Sequence, residues 1–246
     1  MMPGDAIERL NARAKSEAKG DLPDVQPKDA ATLIIIDRSA PEPKVLFGRR
    51  HEGHKFLPGK FVFPGGAVEF ADRLMPAASE LDPRTAARLA HGGVGADDAR
   101  ALALTAVRET FEETGLMLGV RRDDTPEAPG GLWSAFAEAK ILPDLAAMHY
   151  VARAITPPGP PRRFDTRFFA VDANRIAHRV DGVTGPQAEL VELVWVPIAQ
   201  TGPLGLLTIT SVVLEDLEAR AREGMGHALP VPFYRMVQGR FVRELL

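Results

Sequence analysis

The stretch "ALTAVRETFEETGLML", residues 103–118, crowds Glu109, Glu112 and Glu113 around one cation, Arg108. At about 100° per residue, a helix places those three carboxylates within one narrow arc. Leu104, Val107, Phe111 and Leu118 are expected on the opposite arc, as an apolar back. Like charges at these spacings cost an isolated helix roughly 0.2–0.5 kcal/mol per pair. No Lys or Arg is interspersed among the three acids to offset that cost. Two readings follow. Charge runs are commonly just a solvated helix face. Alternatively, the acids gather to hold a cation, and their hard oxygens suit Mg²⁺ or Mn²⁺ better than zinc. Such ions bridge phosphate oxygens or activate a water.

Upstream, "FPGG" (63–66) carries Gly65 and Gly66, which let backbone N–H groups approach a ligand closely. Glycine turn, acid and acidic helix then form one phrase, "FPGGAVEFAD", an interruption, and "AVRETFEETGL". In that phrase Arg108 can hold a carboxylate by a charge-assisted pair. Alone, a Gly-Gly pair is only a tight turn. Together the parts favour metal-assisted phosphate chemistry.

The elements that must position these residues are read as follows. "LPDVQPKD" (22–29) is a linker, so residues 1–28 are expected as an N-terminal arm, solvated or loosely docked. "ATLIIID" (31–37) is a buried strand, "PEPK" a turn, and "VLFGRR" (45–50) the returning strand of a hairpin. "GKFVFPGG" (59–66) is a third strand, stopped by Pro64. "DPRTAARLA" (82–90) is a short helix with Asp82 as N-cap. The acidic helix begins near Asp97 or Asp98 and ends at Gly115, its C-terminal cap. Strands are expected over 116–120, 148–156, 164–173 and 189–198, and helices over 132–141 and 208–222. Interleaving without a repeating βαβ unit favours an α/β fold with a mixed β-sheet covered on both faces.

Composition narrows the class. The 246 residues are 45% hydrophobic, enough for one substantial core, and the net charge of −3 leaves no global basic footprint for nucleic acid. There is no cysteine, so disulfides and cysteine-ligated zinc are excluded and a reducing, cytoplasmic setting is expected. The apolar run "ATLIII" is far too short to span a bilayer, so no membrane partner is expected. The first residues mix acids and bases without a hydrophobic core, unlike a secretory signal.

These residues resemble the box of the Nudix hydrolases, G-x5-E-x7-R-E-x-x-E-E-x-G followed by an apolar residue. Arg108, Glu109, Glu112, Glu113, Gly115 and Leu116 match its second half. Gly66 matches the first half, with Asp72 where the pattern has Glu. From Asp72 to Arg108 is 36 positions where the pattern has 8, so roughly 28 residues are inserted. Arg100 stands where an uninterrupted box would place its first acid, and that role is assigned to Asp72. The resemblance implies a Nudix-type α/β/α sandwich over residues 29–246, with a helical excursion at about 73–99 read as a tolerated surface insertion. It further implies Mg²⁺- or Mn²⁺-dependent hydrolysis of a diphosphate in a nucleoside diphosphate linked to another moiety. Glu109, Glu112 and Glu113 would then be the metal ligands, Arg108, Glu109 and Glu112 the catalytic set, and Asp72 and Gly115 orienting residues. The alternative is a nucleotide-binding module that does not turn its ligand over. The expected partners are a small nucleotide-type molecule and a second copy of the chain in a homodimer.

Coenzyme A diphosphatases within that family carry a further signature, L-L-T-x-R-S-A-x3-R-x3-G-x3-F-P-G-G. Here Leu46, Arg49, Gly59 and Phe63 fall on its fixed positions, and Lys55 replaces its second arginine. Phe47, Arg50 and His51 replace Thr, Ser and Ala. The match implies coenzyme A or an acyl derivative as substrate, with ADP-ribose, NADH and dinucleoside polyphosphates as alternatives. Gly65, Gly66, Arg49, Arg50 and Lys55 are the expected substrate contacts, "RRHEGHK" (49–55) being the densest basic patch. A solvated hairpin tip is its plainer reading. "PPRRFDTRFF" sets Arg162, Arg163 and Arg167 beside Phe164, Phe168 and Phe169, able either to hold a base and a phosphate or merely to fill the core. Of Glu189 and Glu192, at most one can reach the metal site from a strand, and Glu189 is the choice.

Overall fold

The computed structural model describes residues 3–17, 25–54 and 57–246. In chain order the elements are α1 (Pro3–Glu17), β1 (Lys28–Asp37), β2 (Lys44–Arg50), β3 (Phe61–Val62), β4 (Gly65–Ala67), α2 (Phe70–Leu74), α3 (Pro83–Leu89) and α4 (Ala96–Thr114). They continue with β5 (Leu116–Leu118), β6 (Val120–Arg121), α5 (Trp133–Glu138), β7 (Ile141–Leu142), β8 (His149–Ile155), β9 (Phe164–Asp172) and β10 (Ile176–Arg179). The last are β11 (Leu190–Pro197), α6 (Thr208–Arg222), β12 (Pro232–Val237) and β13 (Arg240–Leu245).

The strand order β11-β2-β1-β9-β8-β12-β13 forms the main sheet, with β3 and β4 appended to β2 and β1. It is mixed: β1 runs parallel to β9 from Lys28↔Phe164 to Ile36↔Asp172, and β8 runs antiparallel to β9. The run "LIII" explains the layering. Leu33 and Ile35 enter one core with α4, while Ile34 and Ile36 enter a second with α6. A strand apolar on both sides must be covered on both sides. Helices α2, α3, α4 and α5 thus lie on one face, and α1 and α6 on the other, giving the α/β/α sandwich.

Several expectations change in detail. The third strand divides into β3 and β4, because Pro64 lies between them and cannot donate to the ladder. Within the N-terminal arm, helix α1 is docked. Ala6 and Leu10 bury against the second core, Arg9 Nη2 donates to Glu215 at 2.6 Å, and the Asn11 side chain accepts from the Phe241 N–H. The excursion between Asp72 and Arg108 is also more than surface. Met75 and Leu89 are essentially sealed within the first core, and Arg88 donates to the carbonyls of His227 and Ala228. Asp82 caps α3 as expected, accepting from the Arg84 and Thr85 N–H groups. Leu118 falls in β5 and does not belong to the apolar arc of the acidic helix.

Candidate active site

Helix α4 is buried nearly all round, because the sheet takes one side and α2 packs on another. Its cap is local chemistry. Gly115 sits at φ 75° and returns its N–H to the Phe111 carbonyl at 2.8 Å. A side chain there would meet the Val180 carbonyl, so the helix ends where Glu113 still projects into the site.

The acidic arc meets the protein interior. Arg108 is buried and lies at its centre. Its Nε donates to Asp72 Oδ1 at 2.8 Å, its Nη1 to Glu109 Oε1 at 2.9 Å and Glu112 Oε2 at 3.3 Å, and its Nη2 to the Ala67 carbonyl at 2.9 Å. Burial opposes its charge, yet Asp72, then Glu109, hold its pKa above the ordinary guanidinium range. Asp72 is wholly buried and also accepts from the Thr105 hydroxyl and the Trp133 indole N–H. It completes a capping box on α2 with Glu69. Thus the interrupted sequence is re-closed in space: Asp72, 36 residues before Arg108 in the chain, is its hydrogen-bonded partner. Arg100, by contrast, pairs with Glu80 and donates to the Met75 carbonyl.

Glu109 and Glu113 carry a burden of burial. Burial, against the pull of Arg108, raises Glu109 to about 7, and burial with Glu189 nearby raises Glu113 to about 8. Glu113 Oε2 is buried with no hydrogen-bond partner. Glu112 is half exposed and, among the described residues, held only by the 3.3 Å bond from Arg108 Nη1. Gly66 touches this group directly, since a Cβ there would collide with the Glu109 carboxylate. Gly65 is crowded by Thr32 and the Ala31 carbonyl. Together Asp72, Glu109, Glu112, Glu113 and Glu189 outnumber Arg108 and Arg50. Among the described residues no three acidic or histidine side chains already form a metal cage. The donor set fits a divalent cation nonetheless, because an orphaned buried carboxylate oxygen and an acid excess are what such an ion would relieve.

The basic patch divides. Arg49 turns to Glu192, Nε to Oε1 at 2.5 Å. Arg50 turns the other way, to Glu189 at 2.8 Å and towards Glu113 at 4.0 Å. Glu189 and Glu192 therefore do point apart, and Glu189 is the one beside the acidic cluster. Lys55 lies outside the described residues. A cavity of about 690 Å³ opens from this point, lined by Gly65, Gly66, Arg50, His54, Phe168 and Ile209 among others. The aromatic-basic stretch also divides: Phe164, Phe168 and Arg162 line the cavity, whereas Phe169, Arg163 and Arg167 are buried. Sequence reasoning missed Trp133 and Thr105, which fix Asp72. Neither sits at a spacing that could have revealed it.

A solved Nudix hydrolase from Alicyclobacillus acidocaldarius is 34% identical to this chain, the match covering 79% of this chain and 92% of that one with a TM-score of 0.61. The chain belongs to the Nudix hydrolase family. It is accordingly a hydrolase whose family acts on diphosphates with divalent metals. The human protein named acyl-coenzyme A diphosphatase NUDT19 is 29% identical over 192 residues, 58% of this chain and 48% of that protein. This Nudix chain thus spans about half the length of the curated relative it matches. No family model matches the sequence. Among the described residues no helix is long and apolar enough to cross a membrane.

Proposed function

We propose that this Nudix hydrolase cleaves the diphosphate of coenzyme A or an acyl derivative, yielding an adenosine bisphosphate and a phosphopantetheine, with Mg²⁺ or Mn²⁺. The observation that carries the reading is the acidic cluster closed around Arg108 beside Gly66, with a buried Glu113 oxygen left unpartnered. Glu109, Glu112 and Glu113 would hold the ion. Bound there, it would draw charge off the diphosphate oxygens and so lower the barrier to attack at phosphorus. Arg108, anchored by Asp72, orients Glu109 and Glu112 and limits their movement. Gly65 and Gly66 line the cavity where the diphosphate would lie, and the absence of a Cβ at Gly66 lets the Glu109 carboxylate sit beside it. Arg50 holds Glu189 at the mouth of the cavity, where that carboxylate can accept a proton from an incoming water. The substrate choice is supported by the spacing of Leu46, Arg49, Gly59 and Phe63 and by the likeness to the human acyl-coenzyme A diphosphatase.

The test is a panel of coenzyme A, an acyl-coenzyme A, ADP-ribose, NADH and a dinucleoside polyphosphate, with products identified by mass spectrometry. The reading expects adenosine 3′,5′-bisphosphate and phosphopantetheine from coenzyme A, lost on chelation and in Glu112→Gln. Faster cleavage of ADP-ribose than of coenzyme A at equal concentration would overturn the substrate and leave the diphosphatase chemistry standing.

A further inference from the structure

Among the described residues, the lysine and arginine side chains that lead into the glycine turn are already engaged. Arg49 is paired with Glu192, Arg50 with Glu189, and Lys60 donates to the Gly205 carbonyl. In the second basic stretch, Arg163 donates to the carbonyls of Thr156 and Val25, and Arg167 is held by Asp29 and Asp165. Arg162 differs. It is exposed, lines the cavity together with Thr156, Phe164 and Thr166, and makes no hydrogen bond or ion pair with any described residue.

Strand register places it. Thr32 of β1 stands opposite Gly65 on one side and Phe168 on the other, Ala30 opposite Thr166, and Lys28 opposite Phe164. Along the strand direction, Phe164 is therefore four residues, about 13 Å at the usual rise, from the level of Gly65. Arg162 lies two residues beyond Phe164, towards the end of the cavity remote from the acidic cluster, and contributes to its lining. Between them lie the Phe164 ring and the Thr166 hydroxyl.

We propose that Arg162 is a specificity-determining residue that pairs with a second anionic group of the substrate, a phosphate carried on the ribose away from the scissile diphosphate. This rests on the diphosphatase reading of the same cavity and assigns the recognition of that phosphate to β9's leading loop, away from the basic patch before the box. Arg49 and Arg50 would have to abandon carboxylates to take a phosphate, whereas Arg162 has none to abandon. Its planar fork matches a phosphate bidentately, and Thr156 and Thr166 offer hydroxyl donors nearby.

Two measurements on the full chain test this. Calorimetry compares adenosine 3′,5′-bisphosphate with adenosine 5′-monophosphate, and kinetics compares kcat/KM for coenzyme A and 3′-dephospho-coenzyme A. The wild type should favour the phosphorylated member of each pair. Arg162→Gln should reduce that preference about tenfold, with Arg162→Lys retaining part of it. An undiminished preference in Arg162→Gln overturns the assignment. So does a wild type that cleaves both cofactor forms equally well, which would leave the diphosphatase reading intact. A binding preference abolished by Arg162→Gln, without cleavage of either form, supports Arg162 and instead overturns coenzyme A as substrate.

Discussion

At the residue scale, Asp72 and Arg108 form a buried pair, 0% and 1% exposed. Removing one member strands the other, which costs more than the pair contributes. Asp72→Ala should therefore lower unfolding stability by about 3–5 kcal/mol in chemical denaturation. A loss under about 1 kcal/mol would mean that Glu109 and Glu112 neutralise Arg108 unaided. Gly66 acts differently, through space. A methyl group there pushes the Glu109 carboxylate aside, so Gly66→Ala should reduce kcat on the order of a hundredfold. Steady-state kinetics beside a thermal melt separates this from unfolding. Unchanged kcat would show that Glu109 tolerates the displacement.

At the element scale, the insertion inside the box is part of the scaffold. It carries α3, contributes Leu89 and Met75 to the core that α4 shares, and is tied to residues 227–228 by Arg88. Leu89→Ala should cost about 2–5 kcal/mol, the range for a sealed leucine. A purely superficial excursion would change stability by no more than ~0.5 kcal/mol, and denaturant titration distinguishes the two. Its length is tolerated because lengthening a loop adds little closure entropy. Asp72 and Arg108 can thus meet across it unchanged.

At the scale of the whole molecule, the insertion, β8 and the segment after α6 meet at a second titratable feature. His149 of β8 stacks on His227 with centroids 4.5 Å apart, and Thr85 of the insertion meets His227 at 3.1 Å. Burial, then His227, lowers the His149 pKa from 6.5 to about 4. The folded protein therefore holds this imidazole neutral while the unfolded chain protonates it near 6.5. Its stabilising contribution is complete above that pH and is lost as pH falls towards 4. Discounting solvent screening, about 1–2 kcal/mol should disappear across this window. His149→Gln should flatten the acid limb of a stability-versus-pH curve between pH 6.5 and 4. A limb as steep as the wild type's would assign it to other groups.

Local order was legible in the residues themselves: the acidic helix, its Gly115 cap, Asp82 at the start of α3, and the doubly apolar β1. Each depends on periodicity or on a backbone conformation that few residues allow, and both act within a few positions of the chain. The box was readable across its interruption because its two halves keep their own spacing. The hairpin of β12 and β13 went unread, although Gln238 and Gly239, both at positive φ, mark the turn between its strands. Tertiary structure alone decided which charges meet. Arg49 and Arg50 are neighbours in the chain, but successive strand residues point to opposite faces, so one takes Glu192 and the other Glu189 beside Glu113. Trp133 and Thr105 reach Asp72 only because α5 and α4 pack against α2. The burial that raises Glu109 and Glu113 likewise comes from packing, since desolvation depends on what surrounds a carboxylate in space and not on its neighbours in sequence.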